Sequence, residues 1–222
     1  MENIGNFKVA KRWGSFLLLY LGYMILFADR TVMNISLAYI GKDFHVGAAA
    51  LGATASAFFL GYTLMQIPGG YLTDKFGSKL MVIISLFAWS LMTMVTGWAW
   101  SLAALIAIRF LFGIAEGPYP AAALKRISEN YDKSEKSQAT SALISSNYAG
   151  AAVAPLIIVP IIASNGWRNA FVWLGVGGFI ILLAYYLVER PINSSQENGQ
   201  ARPKIEWKKI DHRVWAFVVI GL

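Results

Sequence analysis

The chain has 222 residues, 57% of them hydrophobic and only 14% charged, with a net charge of +7 and no cysteine. Soluble domains carry roughly 25% charged residues, so this balance excludes an ordinary soluble globule and points to an all-α integral membrane protein. Without thiols there is no disulfide, thiolate metal site or cysteine nucleophile. With no paired carboxylates at metal spacing and no nucleophile motif either, no enzyme, cofactor or metal is expected.

Residues 1–13 are basic, and the apolar run after them is far longer than the core of a signal peptide and lacks a small-residue cleavage site before its charges. It reads as an uncleaved first span. A span needs about 20 apolar residues, and spans are expected near 14–40, 51–72, 80–97, 101–124, 138–163 and 169–188, with a seventh beginning near 214. Fifteen of the 19 Lys and Arg then fall on one side, against Lys42 and Arg168 on the other and Arg30 and Arg109 inside spans. This positive-inside bias predicts a cytoplasmic N-terminus in a multi-pass protein of the cell (plasma or inner) membrane. The basic charge reports topology and attraction to the lipid bilayer, and no nucleic-acid partner is expected.

The first span places Asp29 and Arg30 in the middle of its apolar run. Charges there cost roughly 2.5–3.5 kcal/mol each on insertion scales, so both must face protein or water. They are candidates for a working site, or else a pair that neutralises itself. The second span is rich in small residues that allow close helix approach and ends at the breaker Pro68-Gly69-Gly70. A short cytoplasmic turn from Gly70 to Lys79 follows, carrying Asp74, Lys75 and Gly77. The third span, Leu80 to Gly97, has no charge and leads to Trp98 and Trp100, suited to the outer interface. It reads as packing, with no chemistry.

The fourth span again holds charges, Arg109 and Glu116, seven residues apart. Two helical turns, about 10 Å of rise, put them on nearly the same face. Pro118 and Pro120 remove backbone donors beside Glu116, which predicts a bend or loosening there. Lys125 to Lys136 reads as a solvated helix of mixed charge. The fifth span contains Ser145, Ser146 and Asn147, which either line a pathway or bond to neighbouring helices. The sixth is uncharged and glycine-rich, again packing. The expected organisation is a bundle over 1–188, a cytoplasmic linker over 189–213 and a truncated seventh span over 214–222, since nine residues cannot cross a bilayer.

Charges recurring in spans one and four suggest two three-span units, a 3+3 inverted repeat. The Gly70 to Lys79 stretch resembles the loop signature of the major facilitator superfamily, G-x-L-x-D-[RK]-x-G-x-[RK], and departs from it at Ser78. The stretches Phe27 to Asn34, Tyr62 to Gly70 and Arg109 to Pro118 together resemble the anion:cation symporter family of sugar-acid and organic-anion transporters. The fifth span lacks the full glycine and proline pattern of drug:proton antiporters. The resemblance implies that Arg30 and Arg109 bind the anion, that Asp29 and Glu116 couple the proton, and that Tyr62 and Asn147 contribute to the pocket. It also implies a conformational-gating loop at Gly70, Asp74, Lys75, Gly77 and Lys79, and a missing C-terminal six-helix half as partner.

The expected function is therefore secondary active transport, proton-coupled symport of a small organic anion such as a sugar acid or carboxylate. The alternative is a truncated membrane fragment that inserts and transports nothing.

Overall fold

The computed structural model describes the backbone of residues 2–189 and the side chains of residues 11–189. The expected linker from 190 onward and the expected seventh span over 214–222 lie outside the described residues. No proline interrupts the first stretch, and one helix, α1, runs over Glu2–Asp43. It is followed by α2 (Ala48–Phe76), α3 (Ser78–Gly97), α4 (Leu102–Glu116), α5 (Tyr119–Asn130) and α6 (Lys133–Val188). Five stretches are long and apolar enough to cross a membrane: Lys11–Asp43, Ala48–Phe76, Ser78–Gly97, Leu102–Asn130 and Lys133–Val188.

The last of these contains two crossings. A straight helix of 56 residues would be about 84 Å long, far beyond the roughly 30 Å apolar core of a bilayer. Its ion pairs show how it is divided. Glu135 meets Arg12 of α1 at 2.9 Å, Arg168 meets Asp43 at the opposite end of α1, and Glu189, just past the helix, returns to Ser15 at 2.6 Å. The chain reverses at Gly166, whose φ of 81° lies in the left-handed region that only glycine adopts without strain. Six crossings result, close to the expected boundaries 138–163 and 169–188, and the arrangement is consistent with two units of three spans.

The second boundary differs from expectation. Pro68-Gly69-Gly70 does not end α2, which continues to Phe76, and the expected turn over 70–79 reduces to Gly77, φ 94°. Packing is the reason. The Thr73 hydroxyl donates to the Gly69 carbonyl at 2.8 Å, and Gly69 lies so close to Pro118 that a Cβ would come within 2.7 Å of the proline Cα. The seat against α5 holds the helix together past its proline.

Close backbone approach organises the rest. Gly61 of α2 and Gly113 of α4 face each other so tightly that a Cβ on either would overlap a backbone carbonyl of the other helix, Phe110 or Phe58. Inside a bilayer, where apolar contact with lipid is as good as contact with protein, such small-residue seams are what bring helices together. On the other side, Gly175 and Gly178 seat the last crossing against Ser90 and Met94 of α3, so the glycines of the sixth span serve packing. Trp89, Leu86, Leu19, Leu26, Tyr119 and Phe112 are fully buried between these seams. Phe87, Leu91, Ile180 and Leu183 remain exposed on the apolar outer face.

The stretch expected as a solvated helix spans the end of α5 and the start of α6 and is exposed along much of its length, but one end is anchored. Arg126 and Ile127 are buried, and Arg126 bonds Glu189 at 2.5 Å and Glu129 at 3.4 Å. Glu129 also accepts from Ser78, Lys125 pairs with Asp74 at 2.6 Å, and the Lys79 ammonium donates to the Glu189 carbonyl. The charges of the 125–136 stretch therefore tie α2, α3, α5 and the end of α6 into one joint.

Candidate functional site

The site is assembled at mid-span, where side chains of α1 and α4 reach each other. α4 starts from an N-cap, with the Ser101 hydroxyl accepting from the Ala104 amide at 3.1 Å, an interaction that satisfies one of the helix's unpaired first donors. It ends at Glu116, and Gly117 and Pro118 separate it from α5. The loosening expected beside Glu116 is thus an interruption of the regular helix at Gly117 and Pro118, both of which keep right-handed helical dihedrals, within the single stretch Leu102–Asn130. The Gly61 and Gly113 seam carries α2 close enough for Phe58 and Tyr62 to reach the same centre.

Two ion pairs cross between the helices. Asp29 Oδ1 accepts from Arg109 Nη1 at 2.8 Å, and Arg30 bonds Glu116 through Nη2 and Oε1. Neighbouring acid and base on α1 therefore do not neutralise each other, and neither do Arg109 and Glu116 on α4. Each residue pairs with the opposite charge on the other helix. Asp29 and Glu116 are 0% exposed and Arg109 only 2%. In an apolar interior a buried charge persists when it is paired and hydrogen-bonded, and this arrangement meets that condition for all four groups.

The two arginines are not equivalent. The Arg30 side chain keeps 23% of its surface accessible, and its guanidinium lies over the rings of Phe27, Phe58 and Tyr62 at 4.6, 5.1 and 4.9 Å. Arg109 is enclosed, between the rings of Phe112 and Phe171 at 5.0 Å each. Both arginines line one cleft with Met33, Asn34, Thr54 and Phe59. Glu116 Oε2 is buried and has no hydrogen-bond partner among the described residues.

Of the residues singled out in the sequence, Asp29, Arg30, Arg109 and Glu116 come together directly, and Tyr62 joins them through its ring. Asn147 does not line the cleft. It lies half-buried on α6, its Oδ1 without a hydrogen-bond partner among the described residues. Asp74 and Lys79 belong to the joint at the Ser15 end of the bundle, Gly70, Lys75 and Gly77 lie beside them in α2 and its C-cap, and none of the five lines the cleft.

The third span contributes more than packing. The Thr93 hydroxyl donates to Asp29 Oδ2 at 2.9 Å, and Arg109 Nη2 donates to the Thr96 hydroxyl at 3.2 Å. An uncharged span with two threonines carries no signal of such a role, because the same residues also satisfy themselves on their own helix.

The sequence matches the family description "Major Facilitator Superfamily" over residues 19–222. It is 31% identical over 193 residues to the "Probable sulfoacetate transporter SauU" of Cupriavidus necator, covering 86% of this chain and 45% of that protein. It is 27% identical over 183 residues to the hexuronate transporter of Bacillus subtilis, covering 82% of this chain and 43% of that one. The chain thus spans about half the length of the curated relatives it matches. The fold matches an inward-facing, unoccupied crystal structure of a bacterial homologue of the human lysosomal transporter Spinster, with a TM-score of 0.76 and 24% identity, over 95% of this chain and 49% of that one.

Proposed function

The chain belongs to the major facilitator superfamily, and from that premise we propose that it forms the N-terminal six-span half of a proton-coupled symporter for a small organic anion, a sugar acid or small carboxylate. The observation that carries this reading is the crossed pair of buried ion pairs beside a cleft in which one arginine stays accessible. The relatives named as transporters of sulfoacetate and hexuronate, both organic anions, support the substrate class.

In this reading Arg30 is the first group an entering anion meets. A guanidinium offers two parallel donors to a carboxylate, and the three surrounding rings hold it in the cleft without providing a competing anion. The anion and Glu116 then compete for one cation. A buried carboxylate that loses its partner holds its charge only at high cost, so anion arrival at Arg30 and proton arrival at Glu116 are linked. Asp29 and Arg109 form the second, more enclosed pair, with Asp29 as the other proton-coupling acid and Arg109 as the second attracting charge. Tyr62 borders the site, and Asn147, which lies outside the cleft as it stands here, joins the pathway from α6 only when the bundle rearranges during transport.

The remaining assignments rest on the same reading. The bundle is 1–188, followed by a linker over 189–213. The Ser15 end, which gathers most of the basic residues, faces the cytoplasm, and the protein resides in the plasma or inner membrane. Gly70, Asp74, Lys75, Gly77 and Lys79 lie in or beside a joint that opens and closes with the transport cycle, and a second six-helix half completes the pathway. The test is proton-gradient-driven uptake of a panel of sugar acids and small carboxylates into vesicles containing the complete protein. Accumulation of at least one anion, abolished by collapsing the gradient, is expected. Uptake of none, from folded protein, would overturn the reading.

A further inference from the structure

Five described threonines donate a hydroxyl hydrogen bond, and four of them, Thr31, Thr54, Thr73 and Thr96, donate to a carbonyl of their own helix. That is the ordinary way for a threonine to satisfy itself in an apolar helix. Thr93 is different: fully buried on α3, it donates across to the Asp29 carboxylate of α1. One turn later Thr96 donates to the Met92 carbonyl at 2.9 Å, which leaves its lone pair turned toward Arg109, and Arg109 Nη2 donates to it. One helix therefore holds both members of the Asp29 and Arg109 pair, each on the atom that the pair itself does not use. Neither threonine lines the cleft.

We propose that Thr93 and Thr96 are positioning residues of the anion site, an inference that rests on the transport reading above. Thr93 fixes the carboxylate of Asp29, and because Arg30 is the next residue on α1, it also fixes the rotation of α1 that aims Arg30 into the cleft. Thr96, with the rings of Phe112 and Phe171, keeps the Arg109 guanidinium in place even when Asp29 becomes neutral and ceases to attract it. The charged groups facing Asp29 are Arg109 and Glu116 of α4, together with its neighbour Arg30. α2 carries no charge before Asp74, α3 none after Lys79 and α6 none between Lys136 and Arg168. No other charged group of these helices is at hand to take over the work of the two hydroxyls.

The test uses Thr93→Val and Thr96→Val in the complete protein, which keep the branched shape and remove the hydroxyl, with Thr93→Ser and Thr96→Ser as the conservative variants. Loss of one hydrogen bond to a charged group is expected to raise the KM for the transported anion about tenfold, with kcat changed less than twofold and with recovery in the serine variants. Valine variants with the original KM, or serine variants no better than valine, would overturn the inference. A melting cycle in detergent of Thr93→Val against Asp29→Asn is independent of what is carried. Losses smaller together than in sum are expected, because Thr93 acts through Asp29, and additive losses would overturn the contact. If the unsubstituted protein carries no anion of the panel, the transport reading fails, and the melting cycle still decides whether Thr93 serves Asp29.

Discussion

Asp29 of α1 and Arg109 of α4 meet at 2.8 Å with neither side chain more than 3% accessible, although each has an oppositely charged residue nearby on its own helix. Pairing across the helices makes the charges an interhelical tie. Removing one partner of such a pair leaves the other buried and unpaired, which costs about 3–5 kcal/mol, whereas removing both is far less damaging. Asp29→Asn is therefore expected to lower the melting temperature of the complete protein in detergent markedly, and Asp29→Asn with Arg109→Met to recover much of that loss. A double variant as unstable as the sum of the single ones would show that the tie is unimportant.

Arg30 keeps part of its surface accessible while its partner Glu116 is fully buried, and in the proposed reading that makes Arg30 the group an entering anion meets. Lysine supplies a point charge and no planar face, so it neither binds a carboxylate bidentately nor lies over Phe27, Phe58 and Tyr62 in the same way. Arg30→Lys should weaken anion binding by more than about tenfold with membrane abundance little changed, as measured by substrate protection in a thermal shift assay. Unchanged affinity in Arg30→Lys would remove Arg30 from the site.

Glu116→Gln imitates a permanently protonated side chain. Exchange of substrate across the membrane needs no net proton movement, so counterflow should persist while accumulation driven by a proton gradient is lost. Both are measured side by side on the same vesicles. Accumulation against the anion gradient by this variant, with only a proton gradient imposed, would exclude Glu116 as the coupling acid.

Gly113 has no room for a side chain, since a Cβ would overlap the Phe58 carbonyl and lie 2.7 Å from the Tyr62 amide nitrogen, while nothing lies within 4 Å of a Cβ placed on Gly52. Gly113→Leu should separate α2 from α4 and sharply reduce the yield of folded, monodisperse protein. Gly52→Ala on the same helix pair should behave like the parent. Equal yields of the two variants would contradict the seam.

Glu189 is 2% exposed and receives Arg126 at 2.5 Å and the Ser15 hydroxyl at 2.6 Å, at the end where α1, α3, α5 and α6 meet. Glu189→Gln leaves the buried Arg126 with only the more exposed Glu129, and a fall in melting temperature of several degrees is expected, larger than for Glu135→Gln on the accessible Arg12 pair. Reversal of that order would show that the joint is no more than a surface cluster.

Several features of this protein were legible in the sequence because they depend on local composition. The lengths of the apolar runs set the spans, charges inside those runs marked Asp29, Arg30, Arg109 and Glu116, and Pro118 with Pro120 marked the interruption after α4. Which acid meets which base was not legible. Asp29 and Arg30 are neighbours, and Arg109 and Glu116 lie two turns apart on one face, so spacing alone suits pairs within each helix as well as pairs between them. The choice came from the placement of the helices in three dimensions, which turns Asp29 and Arg30 of α1 toward Arg109 and Glu116 of α4. The same holds for Thr93 and Thr96, whose hydroxyls look alike in sequence whether they bond their own helix or a neighbour, and for Arg126, which a charged stretch disguised as a solvated residue. Hydrophobicity is a property of each segment, and the partner of a polar atom is a property of two segments at once. Only the tertiary structure contains the second.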